Sequence, residues 1–239
     1  MVLIKEICNY SYTLEEKMFK YTQELLKNNL FNGFTEFDIK KLIEFDHCII
    51  EKYPNKTLII QEHDKCKSLG FVIEGSLATQ QFSSIGDNIT LKILKKGDSF
   101  GEALLFSSDS EYRFNLMTTS NTVVIYIPFD QIKKMLTESI KFSTNYIVFL
   151  SDMASTFHVK IKILSQKDVR TKLIIYLSKE SKKFNKLSFA FAHSKTEIAD
   201  LIGAARPSVS REFQRMQQDQ LLKYDRKSVT ILKPEMFCY

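Results

Sequence analysis

The sequence lacks the long apolar runs and the leader features that would place a protein in or across a membrane. Its apolar runs are only a few residues long, far below the ~20 residues of a membrane-spanning helix. The start, residues 1–17, carries acidic side chains and has no small-residue cleavage site, so a secretory signal is not expected. We therefore expect a cytoplasmic protein without a membrane partner.

Close-spaced cysteines are also missing. The four cysteines, Cys8, Cys48, Cys66 and Cys238, are scattered along the chain without a Cys-x-x-Cys pair. A structural zinc site or an iron–sulfur cluster usually takes two thiolate ligands that are close in sequence. We therefore expect free thiols in a reducing compartment, no metal site and no iron–sulfur cofactor.

No arrangement of residues typical of catalysis is present. The sequence has neither the Ser/His/Asp spacing of a hydrolase nor a P-loop. The four histidines, His47, His63, His158 and His193, do not cluster as the metal ligands of a jelly-roll enzyme would. We expect no enzyme activity and assign no catalytic residue.

Positive charge is concentrated in the last third of the chain. The net charge is +6 at pH 7. Residues 165–239 contain 15 Lys and Arg against 8 Asp and Glu, whereas residues 1–164 contain 19 against 20. A polyanion would therefore bind the C-terminal part; an ordinary solvated basic surface is the alternative.

A helical pattern in residues 13–46 gives way to a β-rich pattern from Cys48 onwards. Apolar residues recur at helical spacing in the first part. From Cys48 to Pro128, short runs such as TLIIQ, GFVIEG and TVVIYIP alternate with turn residues. No crossover helix fits between these runs, so we predict an antiparallel sandwich or barrel rather than a parallel α/β fold.

A long helix with an apolar seam is predicted after Pro128. Apolar or small residues recur there in alternating steps of three and four, which is typical of a coiled coil. The seam consists of Ile140, Ser143, Ile147, Leu150, Ala154, Phe157, Ile161 and Leu164. Since a helix that faces a monomer core would show a wider apolar stripe, we predict a homodimer held by this seam. Burial against the rest of the chain is the alternative.

Residues 194–216, SKTEIADLIGAARPSVSREFQRM, have the pattern of a helix-turn-helix motif. Ser194 and Glu197 form a capping box at the start of the first helix. Gly203 lies where the turn between two helices needs a left-handed residue. Pro207 suits the first turn of the second helix, where its missing N–H is no loss. Apolar residues at helical spacing would pack the second helix onto the first.

The other side chains of the second helix are polar and offer more hydrogen-bond donors than acceptors. They are Arg206, Ser208, Ser210, Arg211, Gln214 and Arg215. A recognition helix enters the major groove by its N-terminal residues, and arginine is the usual partner of guanine there. The next segment, LLKYDRKSVTILK, predicts two short strands around a basic turn. We predict double-stranded DNA as the partner; a helical hairpin with a polar face is the alternative.

With these motifs the sequence resembles the Crp–Fnr family of bacterial transcription regulators, from about Phe31 to Leu232. In the β-rich part the resemblance rests on FVIEGSL, residues 71–77, and on KKGDSFGEALLF, residues 95–106. The second segment is similar to the family's phosphate-binding cassette. In the C-terminal part the resemblance rests on residues 194–216.

The resemblance implies an α+β architecture with three parts. A helical lead-in and a cyclic-nucleotide-binding-like β jelly roll, the effector-sensing domain, are expected over residues 1–135. A dimerisation helix is expected over 136–164, and a C-terminal winged helix-turn-helix over 165–239. The implied function is transcription regulation by a homodimer that binds an inverted repeat of DNA, with RNA polymerase as a further partner.

The family resemblance also implies particular DNA contacts. The residues implied are Lys195, Thr196, Arg206, Ser208, Ser210 and Arg211. Arg206 and Arg211 match base-contacting arginines, and Lys195 and Thr196 match phosphate-contacting positions. Pro207 replaces a glutamate that accepts a hydrogen bond from cytosine in the family, so the family's usual half-site is not expected to carry over.

The implied effector pocket departs from the family pattern. Its residues are Gly101, Glu102, Tyr112, Arg113, Phe157 and His158. Gly101 and Glu102 retain a ribose-binding pair, but Tyr112 and Arg113 stand where the family has an arginine and a small hydroxyl residue that clamp the phosphate. Phe157 and its neighbour replace base-contacting hydroxyl residues. We therefore do not expect cyclic AMP as the effector, which stays unidentified.

Two other functions remain open. His158 beside the seam allows a haem cofactor, and with it a haem-, gas- or redox-responsive regulator of the same family. A ligand-binding module without transcriptional action is the second alternative. Paired arginines near a helix N-terminus favour duplex DNA over RNA, because A-form RNA hides its major groove from side chains.

Overall fold

The computed structural model describes residues 14–82 and 88–237. It divides into two compact units, one ending at Ser151 and the other beginning at Asp152. The first unit is rich in strands, and the second combines three helices with a small sheet. A long helix contributes to both units. The predicted α+β class, with a jelly roll, a long helix and a helix-turn-helix, is confirmed.

The first unit begins with two helices, α1 (Leu14–Leu25) and α2 (Glu36–Leu42), separated by a short 3-10 helix at Asn29–Phe31. α2 starts at a capping box between Thr35 and Asp38. The Asp38 amide donates to the Thr35 hydroxyl, and the Thr35 amide donates to the Asp38 carboxylate at 2.8 Å. The helical pattern of the lead-in is therefore confirmed for the described residues.

Eight strands follow in the described part of this unit, and they form two antiparallel sheets. They are β1 (Ile49–Tyr53), β2 (Leu58–Ile60), β3 (Ser68–Glu74), β4 (Ser76–Phe82), β5 (Asn88–Lys95), β6 (Ser99–Phe100), β7 (Asn115–Thr118) and β8 (Thr122–Pro128). The strand orders are β1-β8-β3-β6 and β2-β7-β4-β5. Strands that follow one another in sequence mostly lie in different sheets, as in a jelly roll, which confirms the predicted sandwich.

Helices cover the outer face of the first sheet. The ring of Phe31 lies 5.7 Å from that of Phe71 on β3 and 5.6 Å from that of Phe142. Phe142 belongs to α4 (Ile140–Leu164), which follows α3 (Phe129–Glu138) after a break at one residue. These three rings are almost fully buried, and burying each contributes roughly 1.5–3 kcal/mol. The contacts fix the first turns of the long helix against the jelly roll.

On the inner face of this sheet, Phe100 lies directly over Gly70, and a Cβ at Gly70 would overlap the ring. Gly70→Ala should therefore lower the free energy of unfolding by about 1–3 kcal/mol, the usual cost of overpacking. Adding Phe100→Leu to that variant should recover part of the loss, since the ring is the obstacle. Denaturant unfolding of the two single variants and the double variant measures this coupling; strictly additive losses would contradict the contact.

The second unit is a winged helix. Its elements after α4 are α5 (Val169–Phe184), β9 (Ser188–Ala190), α6 (Lys195–Ile202), α7 (Arg206–Gln218), β10 (Leu222–Tyr224) and β11 (Ser228–Ile231). The strands pair antiparallel in the order β10-β11-β9. Leu177 on α5, Ile198 on α6 and Phe213 on α7 are completely buried in one core. The helix-turn-helix and the basic hairpin predicted from the sequence are both present.

Two of the four cysteines lie within the described residues. Cys48 and Cys66 are free thiols, whereas Cys8 and Cys238 lie outside the described residues. Within residues 14–82 and 88–237, no cluster of His, Cys, Asp or Glu could hold a metal ion. In the same ranges, no helix has both the length and the apolar character needed to cross a bilayer.

Candidate functional site

The first helix of the helix-turn-helix starts and ends as its sequence predicts. The Ser194 hydroxyl accepts from the Glu197 amide at 3.3 Å, and the Glu197 carboxylate accepts from the Ser194 amide at 2.7 Å. The hydrogen bond from that backbone amide holds the pKa of Glu197 below its usual range. Gly203 closes α6 in the left-handed region, at φ +61°, where a residue with a Cβ is strained.

The recognition helix α7 has one buried face and one open face. Val209, Phe213 and Met216 are fully buried, so their packing fixes the rotation of the helix about its axis. Arg206 and Arg211 are exposed and lie about one and a half turns apart. Ser208 and Ser210 are half-buried between them, while Gln214 and Arg215 continue the exposed face. The N-terminal half of the open face therefore offers two arginines and two hydroxyl groups.

Lys195 is held at the start of α6 by aromatic rings. Its ammonium lies 4.4 Å from the ring centre of Tyr224 on β10 and 5.5 Å from that of Phe213. A cation over an aromatic face is favourable by ~0.5–1 kcal/mol at exposed sites. The neighbouring Thr196 is exposed at the N-terminal turn of α6, where free amides favour an anion. Sequence reasoning missed Tyr224, because its partner Lys195 lies 29 residues earlier.

The wing is the turn between β10 and β11. The Asp225 carboxylate accepts from the amides of Lys227 and Ser228 at 2.6 and 2.7 Å. These backbone hydrogen bonds lower the pKa of Asp225, so its charge is retained well into the acidic range. With the turn fixed in this way, Arg226 and Lys227 are exposed at its tip. Two cations are therefore presented beside the recognition helix.

An ion-pair network, which sequence reasoning missed, ties α5 to the recognition helix. The Arg170 guanidinium donates to Glu212 at 2.5 Å and to Asp219 at 2.7 Å. The Glu212 carboxylate is only 11% exposed and also faces Arg215 at 3.7 Å. Arg170, Glu212 and Arg215 also border a groove of about 530 Å³ along α7, together with Ser208 and Arg211. The network sets the position of α7 relative to α5.

We expect the Arg170–Glu212 pair to be strongly coupled. In a cycle of Arg170→Met, Glu212→Gln and the double variant, the coupling energy should exceed about 1 kcal/mol, because Glu212 is nearly buried and its removal leaves a charge unpaired. The pair Asp109–Arg113, with both side chains 58% exposed, is the matched control and should couple weakly. Denaturant unfolding measures both cycles; equal coupling in the two pairs would show that the network does not position α7.

Three of the six predicted effector-pocket residues come together in the first unit. Gly101 and Tyr112 are buried, and a Cβ at Gly101 would lie 3.1 Å from the Tyr112 hydroxyl. That hydroxyl donates to the Cys66 sulfur at 3.4 Å. Glu102 is buried beside them, and loss of solvation raises the pKa of its carboxyl, partly offset by a hydrogen bond from Ser99. A neutral tyrosine thus occupies the position that the resemblance gives to a cationic clamp.

The other three residues do not join this group within the first unit. Arg113 is exposed, and its guanidinium pairs with Asp109. Both Tyr112 and Arg113 precede β7, and Arg113 lies in a bend, where its side chain turns back to Asp109 instead of joining the buried group. Phe157 and His158 are exposed on the part of α4 that belongs to the second unit.

The predicted seam of α4 is largely open. Ile140 is 85% exposed, Ile147 63%, Phe157 55% and Ile161 67%. Ala154 and Leu164 are exposed as well, whereas Leu150 is half-buried and packs against the core of the first unit. Large apolar side chains in a row along one helix form an exposed patch of the kind that marks an interaction site.

Known families match both units. The model of the cyclic nucleotide-binding domain matches residues 50–139, and that of the Crp-like helix-turn-helix domain matches residues 171–238. Together they cover about two thirds of the sequence. The chain belongs to the Crp–Fnr family. The resemblance inferred from the sequence motifs is thereby confirmed.

Characterised members of the Crp–Fnr family are similar over most of their length. The chain is 23% identical over 193 residues to the cAMP-activated global transcriptional regulator CRP of Salmonella typhimurium, covering 77% of this chain and 90% of that protein. It is 20% identical over 192 residues to the global nitrogen regulator of Nostoc sp., with coverages of 78% and 86%. The crystal structure of the Thermus thermophilus catabolite activator protein has the same fold, with a TM-score of 0.53 at 18% identity and coverages of 88% and 96%.

These similarities establish the general activity. The chain is a Crp-family transcription regulator with a DNA-binding helix-turn-helix. The family consists of transcription regulators and not of enzymes.

Proposed function

We propose that this Crp–Fnr regulator acts as a homodimer in the cytoplasm, where it binds an inverted-repeat site on duplex DNA under the control of an effector in its jelly roll. The observation that carries the DNA part is the open face of α7. Its buried residues Val209, Phe213 and Met216 leave Arg206 and Arg211 exposed at the end of the helix that meets base edges in this docking mode.

In this proposal the contacts divide into base contacts and backbone contacts. Arg206 and Arg211 bind base edges, with Ser208 and Ser210 as shorter donors between them. Lys195 and Thr196 bind phosphate at the N-terminus of α6, where the helix dipole and the free amides favour negative charge. The exposed wing adds two further cations that would follow the DNA backbone.

The second copy of the chain is inferred from α4. One side of this helix is already used, since Phe142 and Tyr146 are buried against the jelly roll. The seam lies on another side, and six of its eight residues are exposed, Ser143 and Leu150 being half-buried. A second copy would cover them with its own seam by the knobs-into-holes packing of a coiled coil, and the two α7 helices could then occupy successive major grooves.

The proposal further includes contact of the bound dimer with RNA polymerase and an effector other than cyclic AMP. Support for the second point comes from Tyr112, which fills the place of the phosphate clamp, and from Phe157, which offers no hydrogen bond to a base. A neutral phenol cannot balance a phosphate charge as a guanidinium does.

Binding of duplex DNA and RNA by fluorescence anisotropy tests the DNA assignment. A duplex enriched from a random pool should bind at least about a hundredfold more tightly than an RNA duplex of the same sequence, because the A-form major groove is too narrow for α7. In vitro transcription from a template that carries the enriched site tests regulatory action. Equal affinity for DNA and RNA, or transcription that is unchanged by bound protein, would contradict the proposal.

A further inference from the structure

A cavity of about 520 Å³ opens between the two sheets of the jelly roll. It lies beside β1 and β2, which are the edge strands of the two sheets, so no strand pairing closes the sandwich there. Its volume is within the range of small-molecule sites, about 300–1,000 Å³. The walls include three tyrosines and three isoleucines, and the mouth carries charged side chains.

The phosphate-binding cassette next to this cavity is filled by the protein itself. Tyr112 is only 3% exposed, and its hydroxyl is bonded to Cys66 beside Gly101. The Glu102 carboxylate accepts from the Ser99 hydroxyl, which in turn accepts from the Asn28 side chain at 2.9 Å. The polar groups of the cassette therefore have partners within the chain. A nucleotide would have to displace a buried aromatic ring to enter.

Tyr112 also belongs to the cavity wall, together with Tyr53 and Tyr126. The hydroxyls of Tyr53 and Tyr126 lie 3.0 Å apart. Burial raises the pKa of Tyr126 to about 12, so its phenol stays neutral and can donate or accept a hydrogen bond. Aromatic walls of this kind pack best against a flat ring. The wall chemistry therefore favours a planar aromatic ligand.

Two lysines at the mouth of the cavity differ from the other charged groups there in having no partner among the described residues. Glu51 accepts from Tyr53, Asp64 accepts from the Gln61 amide, and His63 faces Glu111 at 3.4 Å, so these groups already have partners. Lys65 and Lys67 also border the cavity, and neither makes an ion pair with any described residue. Each lysine is therefore free to form a charge-assisted hydrogen bond with a carboxylate group of a ligand in the cavity.

We propose that this cavity, rather than the phosphate-binding cassette, is the effector site, and that it takes a planar aromatic carboxylic acid. The ring lies between Tyr53, Tyr112 and Tyr126, and the carboxylate faces Lys65 and Lys67. The role of this ligand as an effector rests on the proposed function. Its binding to the cavity does not, and can be tested independently. Binding is therefore measured on the full-length protein without DNA.

Calorimetry with benzoate, 2-naphthoate and cyclic AMP tests this proposal. At least one of the two aromatic acids should bind with a dissociation constant below about 1 mM, while cyclic AMP shows no heat of binding at that concentration. Cyclohexanecarboxylate, which keeps the charge but is not planar, and 2-naphthalenemethanol, which keeps the rings but is neutral, should each bind at least about tenfold more weakly than the acid.

Variants locate the site. Lys65→Ala/Lys67→Ala should weaken binding of the acid at least about tenfold without affecting folding, since both side chains are exposed. Ile59→Trp, which places a larger side chain in the cavity wall, should weaken binding of the acid at least about tenfold. The matched control is Lys92→Ala/Lys95→Ala, which removes two exposed lysines on β5 outside the cavity and should bind the acid normally.

Failure of both acids to bind would overturn the proposal. Micromolar binding of cyclic AMP, or loss of binding in the control but not in Lys65→Ala/Lys67→Ala, would overturn it as well. The DNA assignment would be unaffected by any of these results.

Discussion

Replacement of Arg206 or Arg211 by alanine should weaken binding to the preferred DNA site by about 1–3 kcal/mol each and relax the preference at one base-pair position per half-site. In a homodimer each substitution is present in both half-sites, so the loss totals about 2–6 kcal/mol for the dimer. The physical reason is the geometry of α7, which directs both guanidinium groups outward from a buried apolar face. Selection from random duplexes, followed by affinity measurements on single base-pair variants, checks both quantities.

Lys195→Ala provides the contrasting variant. Because Lys195 lies at the N-terminus of α6 and is expected to contact phosphate, its loss should weaken all sequences about equally and reduce the salt slope by about one unit per contact. The base pair that faces Pro207 should be less constrained than its neighbours, since proline offers no acceptor to cytosine. An unrelaxed site in both arginine variants, or an altered base preference in Lys195→Ala, would mean that the assigned roles are wrong.

Ile147→Lys/Ile161→Lys should convert the protein to monomers. These two seam residues are 63% and 67% exposed in one chain, so the substitutions disturb neither core, but in a dimer they would bring four like charges onto the seam. Loss of the second half-site contact removes the avidity of a bivalent binder, which is worth about 10²–10⁴ in affinity. Sedimentation equilibrium and anisotropy titrations on the same samples measure both effects.

The control for the seam is Ser155→Lys/Thr156→Lys, which adds the same charges to exposed polar positions of α4 away from the seam. This variant should stay dimeric. Leu150 is a less suitable test position than Ile147 or Ile161. It packs partly against the first unit, so its loss would also affect folding. If the seam variant sediments as a dimer while DNA binding is unchanged, α4 is not the dimer interface.

Local patterns were sufficient to predict most of the fold. The capping box at Ser194 and Glu197, the left-handed Gly203 and the position of Pro207 each depend on residues within one or two turns, and the structure confirms all of them. The β-rich pattern predicted a sandwich because the connections leave no room for crossover helices. Helix caps and turns of this kind are predictable because they depend on residues that are close together in the sequence.

Contacts between distant residues could not be predicted in the same way. Arg170 pairs with Glu212 across 42 residues, and the Tyr112 hydroxyl meets Cys66 across 46. No spacing rule connects such pairs, because the sheet order and the packing of α5 on α7 bring them together. The outward direction of Arg113 depends on a bend before β7, where the alternation of a strand does not apply. The cavity between β1 and β2 depends on two edge strands from different sheets and has no local signal in the sequence.

The central claim is that two copies of this regulator bind one duplex, each through its own α7. Native mass spectrometry of the protein with a duplex enriched from a random pool tests it directly, since mass gives the stoichiometry and the enriched sequence gives the symmetry. The account predicts two chains on one duplex, with an inverted repeat whose half-site centres are about one helical turn apart. One chain per duplex on a site without two-fold symmetry would contradict it.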